Sequence, residues 1–164
     1  MEGILIRDAQ EADLKAINDI YNHYVLHSTC TYQTEPSSFE ERQKWFGEHA
    51  APYAAIVVVE EGKVIGWGSI SKFHPRAAYG KTVENSVYLH PDWQGKGIGK
   101  AVMKDLIRRA KEAGFHTIIA IISADQAPSL GLHEKLGFVH AGEIKEAGNK
   151  FGRWLDVALL QLML

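Results

Sequence analysis

TVENSVYLHPDWQGKGIGKAVMKDLIRRAK, residues 82 to 111, is the stretch whose reading decides the fold. Thr82 to Leu89 is β-rich and carries one carboxylate, Glu84. A turn at His90-Pro91-Asp92-Trp93 follows, then the glycine loop Gln94-Gly95-Lys96-Gly97-Ile98-Gly99-Lys100, which opens into an amphipathic helix. Strand, glycine loop and helix start in that order make an anion pocket from main-chain N–H groups. Two common phosphate loops fail here. A dinucleotide fingerprint starting at Gly95 needs glycine where Lys100 stands, and a P-loop needs glycine where Gln94 stands and Ser or Thr where Ala101 stands. What remains is alternating glycine, which lets successive N–H groups approach one ligand without a Cβ in the way. Lys96 and Lys100 add positive charge.

Outward from that centre, the pattern predicts a sheet. Ile4 to Arg7 reads as a short strand, and Ala54 to Glu60 as a strand with the buried-sheet centre Ile56-Val-Val-Val59. Glu61-Gly62-Lys63 is a hairpin turn into a strand from Val64 to Ile70, where Gly66 and Gly68 leave room for a close neighbour. Thr117 to Ile122, a strand starting at Phe138-Val139, and Trp154 to Met163 complete it, with Gly142 to Gly148 a loop or partial strand. Helices are expected over Glu11 to His27, from the capping box Ser38-Phe-Glu-Glu41 to about His49, over Lys100 to Ala113, and over Ser129 to Leu136. Lys72 to Lys81 is a loop holding His74, Pro75, Arg76 and Tyr79, placed where ligands are commonly read.

The loop Q-G-K-G-I-G-K after Val87-Tyr88-Leu89 resembles the acyl-CoA pyrophosphate loop of the GCN5-related N-acetyltransferases (GNAT), and Leu132 to Phe138 resembles a second motif of that superfamily. Thr31 to Pro36, Arg76 to Tyr79, Thr82 to Glu84, Leu132 to Glu134 and Lys150 to Trp154 together resemble its phosphinothricin / methionine sulfoximine acetyltransferase branch, over nearly the whole chain. The resemblance implies one α/β (α+β) domain spanning residues 1–164. Its sheet would be mixed and mostly antiparallel, of about seven strands flanked by about four helices, with acyl-CoA between two splayed strands.

It also implies acetyl-CoA as cosubstrate and no metal. Val87, Tyr88, Leu89, Gln94, Gly95, Lys96, Gly97, Ile98, Gly99 and Lys100 would hold it, with Gln126 at the place of a common asparagine and Ser129 nearby. Val87 and Leu89 would act through main-chain groups, the Leu89 N–H polarising the acetyl carbonyl. Acceptor contacts are implied for His74, Pro75, Arg76, Tyr79, Glu84, Asn85 and Ser86, with Arg76 suited to a carboxylate or phosphinate.

Amine acylation by a thioester needs a base for the ammonium proton, donors for the oxyanion and an acid for the leaving thiolate. Glu84 is the expected base, its pKa raised by an apolar site; an edge-strand carboxylate is the alternative. His133 stands where the superfamily usually has a tyrosine acid, and either relays a proton or makes a cofactor or interchain contact. The leading function is acetyl transfer to the α-amine of a small amino-acid-like acceptor such as methionine sulfoximine, methionine sulfone or phosphinothricin. Protein N-terminal or lysine acetylation and a silent CoA sensor are the competing readings; a closed pocket lined by Arg76 and Tyr79 would argue against the first of these.

Composition agrees with a folded domain. The 164 residues are 46% hydrophobic with a formal net charge of -2, so no general attraction for nucleic acid or anionic membrane is expected. No apolar run suits a bilayer span, Met1-Glu2-Gly3 opens no signal peptide, and the lone Cys30 forms no intrachain disulfide, which together predict a cytoplasmic protein. His23 and His27, four apart, form a metal pair only with a third ligand, so packing or surface histidines are expected. Cys30 is expected to be small and buried, and Lys150 to Trp154 to be a turn rather than a nucleic-acid platform. A homodimer is implied by the resemblance alone.

Overall fold

Ile56, Val57 and Val58 have no solvent exposure, which requires cover on both faces of their strand. The computed structural model, describing residues 3–164, supplies it. In chain order the elements are β1 (Ile4–Asp8), α1 (Leu14–His27), α2 (Phe39–Gly47), β2 (Ala54–Glu60), β3 (Lys63–Lys72), β4 (Thr82–Leu89), α3 (Ile98–Glu112), β5 (Thr117–Ser123), α4 (Ala127–Glu134), β6 (Val139–Lys150) and β7 (Arg153–Met163). Seven strands form one sheet in the order β1-β2-β3-β4-β5-β7-β6. Every pairing is antiparallel except β4 with β5. The mixed, mostly antiparallel sheet with four helices is as expected. The Met1-Glu2 part of the signal-peptide reading lies outside the described residues.

Period-two alternation divides the core between the faces. Ile56, Val58, Ile70 and Val83 pack with Val102, Met103, Leu106 and Ala110 of α3. On the other face, Val57 and Trp67 pack with Leu14, Ile17, Ile20 and Tyr24 of α1. The close neighbour of Gly68 is α3: a Cβ there would lie 2.8 Å from Val102 Cγ1 and 3.0 Å from Leu106 Cδ1. α2 starts on the expected capping box, the Ser38 hydroxyl accepting from Glu41 N–H and the Glu41 carboxylate from Ser38 N–H.

Two boundaries are corrected. α3 begins at Ile98, not Lys100, because Gly97 at φ 80 is already its N-cap. α4 begins at Ala127, not Ser129, since Pro128 fits the first turn, where an N–H is not needed. Of the two readings of Gly142 to Gly148, loop or partial strand, the strand holds: β6 runs through it, with register breaks at His140/Gly142 and Ile144/Gly148. The Asp156 carboxylate on β7 holds the second break, accepting from Glu146 N–H at 2.8 Å and Lys145 Nζ at 3.1 Å.

The feature that makes a site is the parallel pair. β4 and β5 pair only over Thr82–Glu84 with Thr117–Ile119. Beyond that point β4 stays with β3 and β5 with β7, and the two strands part.

Candidate active site

The gap between β4 and β5 opens into a cavity of about 1250 Å³. Strand alternation sorts its wall. Glu84, Ser86 and Tyr88 share the β4 face that meets α1, whereas Asn85, Val87 and Leu89 share the face toward α3 and α4. In the sheet plane, His90 N–H donates to Ile65 C=O on β3 at 2.8 Å. Alternation therefore turns the N–H and C=O of Val87 and Leu89 away from β3 and into the gap.

One end of the cavity is the glycine loop. Gly95 and Gly97 take φ of 72° and 80°, a region L side chains rarely occupy. Among the described residues, none of the six N–H groups from Gly95 to Lys100 donates to a protein acceptor. Six free donors at the N-terminus of a fifteen-residue helix suit a multiply charged anion. Gln94, Gly95, Gly97, Gly99 and Lys100 line the cavity. Ile98 instead buries its side chain in the core and serves only by its backbone, and the Lys96 ammonium lies 4.3 Å over the Trp93 ring. These residues fit a pyrophosphate, and the splayed strands fit the amide-bearing arm of acyl-CoA.

Glu84 faces the other end. Its carboxyl is half-buried, and among the described residues it has no hydrogen bond or ion pair. Burial raises its pKa above the ordinary carboxylate value, with no cation nearby to counter it. An unpaired, desolvated acid of this kind favours a bound ammonium and can take its proton.

His133 departs from the proton-donor reading. It is 4% exposed, and its Nδ1 lies 2.8 Å from Ser129 C=O, so Nδ1 carries the proton. Its Nε2 accepts from Asn85 Nδ2 at 2.9 Å. Burial lowers its pKa, against the opposing pull of the Ser129 carbonyl, and keeps the ring neutral. Both nitrogens are committed, and the one facing β4 has no proton to give. This arrangement fixes Asn85 and the start of the gap and supports no delivery of a proton to a thiolate. His133→Ala should cost about 2 kcal/mol of unfolding free energy by stranding the Asn85 amide. The pH dependence of kcat should not change, because the ring has no proton to give. Denaturant melts and a pH profile of the variant check both.

The residues matched by the acetyltransferase (GNAT) family, 17–138, include the whole gap and the glycine loop. The chain belongs to the acetyltransferase (GNAT) family. It is 40% identical to the L-amino acid N-acyltransferase MnaT of Escherichia coli, over 97% of this chain and 93% of that one. It is also 40% identical to an L-methionine sulfoximine/L-methionine sulfone acetyltransferase of Pseudomonas aeruginosa, over 97% and 94%. A GNAT phosphinothricin acetyltransferase from Sinorhizobium meliloti, solved with acetyl-CoA, superposes at a TM-score of 0.96 with 41% identity, covering 99% of this chain and 89% of that one. The chain is accordingly an acyltransferase.

Within this GNAT site, the loop residues expected to wall the pocket do not. His74, Pro75, Arg76 and Tyr79 lie outside the cavity wall. Arg76 and Tyr79 are exposed, and Tyr79 packs on His74 with ring centroids 4.5 Å apart. A loop position reveals nothing about which way a side chain turns, and this loop is held by its own aromatic contacts. The inference from a closed pocket lined by Arg76 and Tyr79 is withdrawn with it. Gln126 and Ser129 do line the cavity. Gln126, however, spends one of its two amide N–H groups on Thr29 Oγ1 at 2.8 Å, which leaves the other N–H and the carbonyl oxygen for a ligand.

Several contributors were hidden in the sequence. The Tyr24 hydroxyl donates to Leu89 C=O and accepts from Gln94 Nε2 at 2.6 Å, joining α1 to the end of β4 and the start of the glycine loop. Asp125 accepts from Thr29 and Ser123 hydroxyls at 2.8 Å and from Arg153 at 3.0 Å. Burial alone would raise its pKa, but these bonds outweigh it and hold the carboxyl below the usual range. Lys150 is buried and donates to Ser28 and Thr31 carbonyls at 2.6 and 2.7 Å, so it ties β6 to the segment after α1. Cys30 lines the cavity half-buried, less enclosed than expected. His23 and His27 rings lie 5.0 Å apart at its edge, and no third metal-ligating side chain joins them among the described residues.

Proposed function

We propose that this chain transfers the acetyl group of acetyl-CoA to the α-amine of a small amino-acid-like acceptor of the methionine sulfone, methionine sulfoximine or phosphinothricin type. One observation carries this reading: an unpartnered, half-buried carboxyl, Glu84, faces the same cavity that ends in six free main-chain N–H groups. The relatives act on amino acids and their analogues by name, which supports the acceptor class. Walls from Tyr21, Trp45, Trp67 and Tyr88 suit a small ligand better than a polypeptide.

When bound, acetyl-CoA supplies the thioester carbonyl. The loop from Gly95 to Lys100 anchors its pyrophosphate, and the main-chain groups of Val87 with the Leu89 N–H align the arm, the Leu89 carbonyl being held by Tyr24. Glu84 takes the ammonium proton, directly or through a water, and leaves a neutral amine to attack. The Leu89 N–H, turned into the gap, polarises the carbonyl oxygen. Nitrogen loses its second proton as the C–S bond breaks, and that proton balances the one gained by the thiolate. His74, Pro75, Arg76 and Tyr79 are assigned to the rim of the acceptor end, in the loop that leads into β4 just before Glu84.

A screen of amino acids, their sulfone, sulfoximine and phosphinate analogues and a peptide N-terminus, following thiol release, tests the proposal. Amino-acid analogues should be the best acceptors; a preference for the peptide would redirect the assignment, and no turnover on any amine would remove it.

We place the chain in a homodimer, supported by exposed apolar residues on β6, β7 and their turn: Val139 at 63%, Phe151 at 54% and Trp154 at 65% exposure. Sedimentation at micromolar concentration should report twice the 18.3 kDa chain mass; a single chain mass would contradict it. No helix among the described residues is long and apolar enough to cross a membrane.

A further inference from the structure

Arg42 on α2 is the most enclosed cation in the cavity wall, with 4% of its surface exposed. Its guanidinium is stacked rather than paired. The central carbon lies 4.7 Å from the Trp45 ring centroid, 4.8 Å from Tyr21 and 5.5 Å from Trp67. Its Nε donates to Asn18 Oδ1 at 3.1 Å. Among the described residues, its two terminal nitrogens have no hydrogen-bond acceptor and no carboxylate within ion-pair distance. The adjacent acid, Glu41, is already used by the Ser38 N–H in the capping box, at 2.7 Å. Aromatic faces hold a guanidinium in place without neutralising it, and they leave the edge of the fork open. Beside it, the Trp67 indole Nε1 is buried with no acceptor. The Arg42 fork thus meets the cavity with its donors unmet, and leaving them so is costly.

We propose that Arg42 binds oxygens of the acceptor: those of its α-carboxylate or of a sulfone, sulfoximine or phosphinate side chain. This deepens the acceptor reading above and rests on it. Trp67 pairs with Tyr88, and Glu84 lies four residues earlier on the same face of β4. The two stations are therefore about 13 Å apart along the strand, a span their side chains shorten from both ends. A zwitterionic or oxygen-rich acceptor would meet the lone acid with its ammonium and the lone cation with its oxygens. Burial lowers the Arg42 pKa, as expected for a guanidinium awaiting an anion.

Calorimetric titration of the CoA-saturated full chain tests this with three probes: L-methionine sulfone, its α-carboxamide and L-methionine. The wild type should bind the sulfone at least about 10-fold more tightly than one of the other two. Arg42→Met should bring that ratio below about 2-fold with its circular dichroism unchanged, and Arg42→Lys should give an intermediate value. Loss of the preference over the carboxamide identifies the carboxylate as the ligand, and loss of the preference over methionine identifies the side-chain oxygens. Should Arg42→Met fail to fold, Arg42→Lys reads the same ratio. The assignment is overturned by equal binding of all three probes, by no binding of the sulfone, by full discrimination in the Arg42 variants, or by transfer of the effect to Arg76→Met. Tight sulfone binding without thiol release would instead sink the transferase reading and leave Arg42 in place.

Discussion

Glu84→Gln should lower kcat by about 10²- to 10⁴-fold, the usual share of a positioned general base, with KM for acetyl-CoA within about twofold of wild type. The two effects separate because Glu84 lies on the β4 face toward α1, while the cosubstrate is held by main-chain groups of the gap and the glycine loop. Glutamine keeps the shape and removes the basic oxygen. The same variant should be more stable. Glu84 has its pKa raised by burial, so the folded chain holds that proton to higher pH than the unfolded chain does. Its contribution to stability is therefore full below the unfolded pKa and is lost as pH rises through the folded one. At neutral pH the ionised carboxyl is a net cost, which glutamine avoids, and Tm should rise. A variant that lost activity and melted lower would instead mark Glu84 as structural.

Gly97→Val should raise KM for acetyl-CoA about 10- to 100-fold and leave kcat at saturation within about twofold. Gly97 caps α3 at φ 80, where a nearby Cβ is strained by about 1–2 kcal/mol and a β-branched one by more. Relief requires the loop to turn, which misaims the N–H groups from Gly95 to Lys100 together. Nothing lies within 4 Å of a Cβ built at Gly97, so a packing clash is not the cause. Gly131→Ala, in α4 with open space around it and an ordinary φ, is the control and should behave as wild type. Steady-state kinetics with acetyl-CoA varied at fixed acceptor decides the matter; equal KM values would show that the loop does not hold the pyrophosphate.

What could be read from the sequence was what is local. The glycine loop declares itself because an anion cradle made of backbone excludes side chains at alternating positions, and Gly95, Gly97 and Gly99 show that exclusion directly. Glu84 stood out as a single acid in a β-rich run next to that loop. The Ser38 and Glu41 capping box also closes within one turn. What was missed depends on partners far along the chain. The tautomer of His133 is set by the Ser129 carbonyl and by Asn85, 48 residues away. Arg42 is flanked by Glu40, Glu41, Gln43 and Lys44 on α2, and packing against Tyr21, Trp45 and Trp67 buries it. The start of β6 was legible at Phe138-Val139, but its run through Gly142 to Gly148 was left open by its glycines and charges, since its continuity comes from β7 and Asp156 rather than from its own propensity. Arg76 is the converse case: its chemistry suits an oxyanion, but its loop leaves it exposed and outside the cavity wall.

The measurement that bears most directly on the site as a whole is kcat/KM for L-methionine sulfone across pH at saturating acetyl-CoA, wild type beside Glu84→Gln. The wild type should show a single-proton acid limb, with its midpoint above the ordinary carboxylate value, and the variant a low rate without that limb. An acid limb of unchanged midpoint in Glu84→Gln, at near wild-type rates, would contradict it.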